Sequence, residues 1–154
     1  YEISACLVGS EMCIRDRQPI RAGQWQEMAR LCEHSPIPIA LDEELIGFSS
    51  DASKEMLLDT VQPQYIILKP ALCGGFAEAD RWISMAKKRN IGWWATSALE
   101  SNIGLNAIAQ WVARYRPTIP QGLGTGLLYT DNFPSTLRLD GDKMWFDTLQ
   151  DNKW

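Results

Sequence analysis

The stretch Tyr65-Ile66-Ile67-Leu68-Lys69-Pro70 carries four apolar residues into a lysine and stops at a proline. One repeat earlier, Pro38-Ile39-Ala40-Leu41 runs into Asp42 in the same manner. A short, continuous apolar run bounded in this way reads as a strand buried on both faces, the habit of parallel sheets. A carboxylate and an ammonium that close two such strands lie at their carboxyl ends, where parallel α/β proteins keep their chemistry.

Working outward, the chain alternates. Trp25, Met28, Ala29, Leu31 and Cys32 recur at helical spacing and predict a helix over 23–33. A strand is expected over 37–41, then the acidic triplet Asp42-Glu43-Glu44. Asp51 is the expected N-cap of a second helix, with Met56, Leu57 and Val61 on its apolar side. After the strand over 65–68, Phe76, Ala79, Ile83 and Ala86 form the stripe of a third helix running to Asn90. A strand over 92–96 leads to Ser97. A helix over 101–115 then turns Ile103, Ala107, Ile108, Trp111, Val112 and Tyr115 inward, and a strand over 119–123 follows. The tail over 136–147 reads as a hairpin turning at Asp140-Gly141.

The strand ends Asp42, Lys69, Ser97 and Gly122 are 27, 28 and 25 residues apart. Helices between strands at that period imply right-handed crossovers and a parallel sheet. An open doubly wound sheet and part of a (β/α)₈ barrel both fit, since about eight strands are needed to close a barrel.

Composition narrows the function classes. Of 154 residues, 45% are hydrophobic and 22% charged, with net charge −4. That is a globular profile, and its longest basic run, Lys87-Lys88-Arg89, argues against a nucleic-acid or anionic-membrane partner. No apolar run approaches the ~20 residues of a membrane span, and residues 1–8 lack the basic start of a signal peptide. The cysteines at 6, 13, 32 and 73 form no C-x-x-C pair, and His34 is not at ligand spacing from them. Scattered thiols fit a reducing cytoplasm and no zinc site is expected. Cys32 reads as a core residue and His34 as a partner for a helix C-terminus.

Two residues carry a chemical signal. Asp42 is either the start of a solvated acidic loop or a carboxylate aimed to bind a hard cation such as Mg²⁺, which takes more than one protein oxygen. Lys69 either snorkels to the rim or is held where its proton can be used. Burial makes an ammonium give up its proton more readily, so lysine in such a place can act as general acid or base. Cys73-Gly74-Gly75 reads as a tight strand-to-helix connection in preference to an anion site. The glycines over 122–126 match neither G-x-G-x-x-G nor a P-loop, and the seven tryptophans read as core.

Gln18-Pro19-Ile20, Ile39-Ala40-Leu41-Asp42-Glu43, Ile67-Leu68-Lys69-Pro70 with Gly74-Gly75, and Thr96-Ser97-Ala98-Leu99-Glu100-Ser101-Asn102-Ile103-Gly104-Leu105 resemble the enolase superfamily in order and spacing. Within it they are most similar to the o-succinylbenzoate synthase family, dehydratases of menaquinone biosynthesis. The resemblance implies an α/β fold, the C-terminal part of a (β/α)₇β TIM-like barrel with a C-terminal β-hairpin. Residues 18–133 would be partial catalytic barrel and 134–154 hairpin and tail. It implies a cytoplasmic lyase with Mg²⁺ (or Mn²⁺) that removes a proton α to a carboxylate, forms a metal-stabilised ene-diolate and expels water. Asp42 would be a metal ligand, and Lys69 an acid/base partner or a cation over the intermediate. Ser97, Glu100, Ser101 and Gly122 would contact a small carboxylate substrate.

The departures are as specific. The family's fourth-strand glutamate ligand falls at Arg17, and its third-strand aspartate and second-strand Lys-x-Lys motif have no counterpart in the chain. Residues 1–17 resemble translated sequencing-adapter sequence and are expected to be foreign to the fold. The chain as it stands is therefore expected to be a catalytically inactive fragment, with an open apolar edge near 37–41 through which it could self-associate. Another superfamily epimerase or racemase, and a non-enzymatic flavodoxin-like binding module, remain the alternatives.

Overall fold

In chain order the elements are β1 (Glu2–Ser4), β2 (Asp16–Arg17), α1 (Trp25–His34), β3 (Ile39–Leu41), α2 (Asp51–Val61), β4 (Tyr65–Leu68), α3 (Phe76–Lys88), β5 (Gly92–Ala95), α4 (Asn102–Ala113), β6 (Leu137–Asp140) and β7 (Lys143–Phe146). The computed structural model describes residues 2–4, 16–124 and 129–146. They fall into two units, one within Glu11–Trp94 and one formed by Tyr1–Ser10 with Ala95–Trp154. None of the described helices is long and apolar enough to cross a membrane.

The first unit is built on parallel pairing. The sheet order is β2-β3-β4-β5, with Arg17 opposite Ala40 and Leu41 opposite Ile66. Strands β3 and β4 are apolar throughout because both faces are covered. Ile39, Ala40, Leu41, Ile66, Ile67 and Leu68 are all buried. Met28 and Cys32 of α1, Leu57, Leu58 and Val61 of α2, and Ala79, Trp82, Ile83 and Ala86 of α3 complete the core. Each large side chain so buried contributes about 1.5–3 kcal/mol.

Gln64 ties this core together where a strand begins. Its side-chain oxygen accepts from Ile39 N (2.9 Å), its amide donates to Cys32 O (3.0 Å), and its own carbonyl accepts from Gly92 N (3.0 Å). Position 92 must be glycine, since a Cβ there would meet the Tyr65 ring at 2.5 Å.

Several sequence expectations are corrected. The strand expected over 37–41 starts only at Ile39, because Ile37 is tied locally to Ser35 Oγ and Pro38 offers no N–H. The edge expected to be open there is covered, since β2 pairs with β3 and Gln18 N donates to Ala40 O (2.9 Å). The N-cap of α2 is Ser50 and not Asp51. Ser50 is extended and its hydroxyl accepts from Ser53 N at 3.2 Å, while Asp51 is already helical. Met56 and Phe76 point outward, and Lys54 is buried in their stead.

In the second unit α4 is shorter than expected and exposes Ile103 and Ala107, while Leu105, Ile108, Trp111 and Val112 are buried. Among the described residues, the strand expected over 119–123 reduces to isolated bridge residues Gln121 and Gly122, with Gly122 parallel to Thr96, for Pro120 has no N–H to give a ladder. The tail forms the expected hairpin, with β1 added antiparallel to β7. Its register pairs Asp140 with Lys143, so the turn is Gly141-Asp142 and not Asp140-Gly141, with Gly141 at φ +60°. Of the expected glycine run, positions 125 and 126 lie outside the described residues, as do Cys6 and Cys13 and most of 1–17.

Candidate active site

Asp42 and Lys69 follow β3 and β4 directly, and the parallel register sets their side chains beside one another. Lys69 Nζ donates to Asp42 Oδ1 at 2.8 Å and to Oδ2 at 2.9 Å. The Asp42 side chain is 1% exposed and that of Lys69 13%. A buried carboxylate needs such partners, because removing an ion from water is costly unless it is paired and hydrogen-bonded.

A third charge joins them from β2. The Arg17 guanidinium bonds Asp42 Oδ2, with Nε at 2.5 Å, and its side chain is 38% exposed. The next residue, Gln18, sits at φ +44°, a backbone rarely adopted without glycine. Its side chain secures that turn. Oε1 accepts from Asp42 N (3.0 Å), and Nε2 donates to Ile20 O (3.0 Å) and to Glu44 Oε2 (3.3 Å).

Within the acidic triplet only Asp42 faces this cluster. Glu43–Leu45 make a single 3₁₀ turn, which leaves Glu43 exposed and buries Glu44. Glu44 accepts from Trp25 Nε1 (2.6 Å), from Gly23 N (2.9 and 3.2 Å) and from Gln18, clamping the entry to α1. Sequence reasoning missed Glu44, since its partners are a backbone N–H and an indole from a distant segment.

After Lys69 the chain turns tightly, as expected of Cys73-Gly74-Gly75. Leu72 N and Cys73 N both donate to Lys69 O (2.8 and 3.0 Å), and Gly74 and Gly75 take φ of +100° and +94°. Burial pushes the Cys73 thiol up to about 11, and that of Cys32 likewise to about 11, so neither is a nucleophile at neutral pH. His34 is exposed near the end of α1 and its Nδ1 lies 2.9 Å from Arg30 O, the helix-end role its position suggested.

The other expected site residues lie in the second unit. Ser97 is buried. Its N–H donates to Gly122 O (3.3 Å), and Gly122 N donates to Ala95 O (2.8 Å). A Cβ at Gly122 would come within 2.7 Å of Thr96 Oγ1, so the close approach needs glycine. The Ser97 hydroxyl accepts from Leu99 N (3.2 Å) and Glu100 Oε2 from Ala98 N (2.7 Å), so the loop folds on itself. Glu100 Oε1 is buried with no hydrogen-bond partner among the described residues. Ser101 precedes α4 without a capping side-chain bond; Asn132 Oδ1 accepts the Asn102 N–H instead (2.9 Å).

The first cluster has a simple electrostatic character. One carboxylate and two cations leave a formal excess of one positive charge at the strand ends. The divalent cation implied by the resemblance does not fit these residues. Both Asp42 oxygens are engaged by cations, Glu44 is committed elsewhere, and no group of three His, Cys, Asp or Glu gathers among the described residues. What remains is a fixed ammonium and guanidinium around one buried carboxylate, suited to meeting negative charge on a ligand.

Comparison with known proteins places this geometry. Residues 18–143 match the family described as enolase C-terminal domain-like. The chain is 63% identical over 124 residues to the o-succinylbenzoate synthase of Desulfotalea psychrophila (strain LSv54 / DSM 12343), a match covering 80% of this chain and 33% of that protein. The crystal structure of MenC from Desulfotalea psychrophila LSv54 superposes with a TM-score of 0.80 at 61% identity, covering 83% of this chain and 36% of that one. The muconate lactonizing enzyme from Pseudomonas putida gives 0.73 at 26% identity, over 84% and 36%. The chain thus spans about a third of the length of these relatives. A flavodoxin-like module is set aside by the family match. The parallel strands, their strand-end charges and the match over residues 18–143 together establish that the chain belongs to the enolase C-terminal domain-like family.

Proposed function

We propose that residues 18–133 are the catalytic-barrel part, and 134–154 the hairpin and tail, of an o-succinylbenzoate synthase-like dehydratase, a cytoplasmic enzyme of menaquinone biosynthesis acting on a small carboxylate. The observation that carries this reading is the 63% identity to the Desulfotalea protein of that name. The Asp42–Lys69 pair gives it a chemical basis.

The reaction removes a proton α to a carboxylate and then loses water. Negative charge builds on the ene-diolate between those steps, and a preorganised cation at a water-poor strand end stabilises such charge. Lys69 fills that role. Its ammonium is held by two bonds to a buried carboxylate, so it stays aimed while the substrate reacts. Asp42 is its positioning partner. By the family resemblance, Ser97, Glu100, Ser101 and Gly122 of the other unit would be substrate contacts. The purified chain is expected to show no dehydratase activity above a Lys69→Ala control.

A hybrid tests the assignment. Residues 18–146 of this chain replace the equivalent third of the Desulfotalea synthase, and dehydration is assayed. Turnover within about tenfold of that synthase, abolished by Lys69→Ala, supports the reading. A folded hybrid that racemises N-acylamino acids or epimerises dipeptides but does not dehydrate would overturn it.

A further inference from the structure

Arg17 lies just before the residues matched to the family, on the edge of the sheet, and its guanidinium is bonded to the same carboxylate that Lys69 holds. Asp42 is almost completely buried, and the most exposed member of the cluster is Arg17 itself. Glu44, the nearest other buried acid in sequence, has its oxygens on Trp25, Gly23 and Gln18, and Glu43 faces solvent. Asp42 is therefore a lone ligand whose charge is already more than balanced.

We infer that Arg17 is the resident counter-ion of Asp42 and excludes divalent cations from the strand-end site of this chain. A guanidinium suits the role. It is planar, permanently charged, and offers several N–H donors to one carboxylate. A dication placed on Asp42 would have to displace it, lie beside two fixed positive charges, and accept one protein carboxylate where hard cations need several oxygens. The inference rests on the cluster alone and is independent of which reaction the barrel serves. Arg17 is absent from the hybrid described above, so failure of one claim leaves the other standing.

The test is Mn²⁺ binding to the full 154-residue chain, followed by loss of the free-ion electron paramagnetic resonance signal. Binding that survives Asp42→Asn is subtracted as background. The wild-type chain is expected to show no Asp42-dependent binding. Arg17→Gln is expected to gain it, and Arg17→Glu, which adds a second carboxylate, to bind about tenfold more tightly still. Asp42-dependent binding by the wild type as tight as by either variant overturns the inference, as does a folded Arg17→Glu chain that binds no Mn²⁺. Should Arg17→Glu fail to fold by circular dichroism, wild type against Arg17→Gln decides: a gain supports the claim, and equality refutes it.

Discussion

Two lysine–carboxylate clusters stand in the first unit and are built in opposite senses. At the strand ends the buried member is the acid: Asp42 is 1% exposed, and Lys69 and Arg17 reach it from the rim. Between α2 and α3 the buried member is the base. The Lys54 side chain is 0% exposed, while its partners Glu78 and Asp51 are 29% and 50% exposed. Its ammonium also lies 5.8 Å from the Trp82 ring. A Cβ at Gly74 would meet Glu78 Cγ at 2.9 Å, so this second cluster braces the turn that follows Lys69. The difference separates the roles. A lysine sealed between helices serves packing, whereas one held at an accessible strand end can present its charge to a ligand.

The contrast breaks if mutation ranks the clusters the other way. Asp42→Asn leaves two cations facing a neutral amide and is expected to cost about 3 kcal/mol, read as a lower urea midpoint at unchanged slope. Glu44→Gln keeps the shape but weakens charge-assisted bonds to Trp25 and Gly23, with an expected loss of about 2 kcal/mol by the same measurement. Lys54→Met removes the buried charge and leaves carboxylates that water can reach, so a change within about 1 kcal/mol of either sign is expected. A cost for Lys54→Met above that for Asp42→Asn would reverse the comparison.

The pair of exposed Asp59 and half-buried Arg89 gives a smaller effect than the two buried acids. Hydrogen bonding to Arg89 holds the Asp59 carboxyl below its usual 3.8, so the pair contributes stability above that pH and loses it as pH falls through the depressed value. Asp59→Asn should therefore lower the midpoint at neutral pH by less than Asp42→Asn or Glu44→Gln does. The difference should fade as pH drops below 3.8. A deficit that persists undiminished in acid would contradict the assignment.

These contrasts also show what the sequence could reveal. The run over 65–68 is legible because a strand covered on both faces has no polar residue to disguise it. Lys69 and Asp42 are legible because each interrupts such a run. Lys54 is not, since a lysine between Ser53 and Glu55 reads as helix surface, and only the tertiary arrangement brings Glu78 and Trp82 to it. Arg17 escaped as a structural partner for a different reason. A two-residue strand has no period, and its pairing with Ile39 and Ala40 exists only in the folded sheet. Local boundaries failed where one bond decides them, as when the Ser50 hydroxyl, and not the Asp51 carboxylate, caps α2.

The most direct measurement compares two lysine variants in the dehydratase hybrid. Lys69→Met should lower kcat by about a hundredfold or more, the scale of losing a positioned acid/base or electrostatic group. Lys54→Met should leave kcat within about threefold, because that lysine is sealed between α2 and α3 with Glu78, Asp51 and the Trp82 ring as its partners. Equal losses, or a larger loss at Lys54, would contradict the assignment of the strand-end cluster as the functional one.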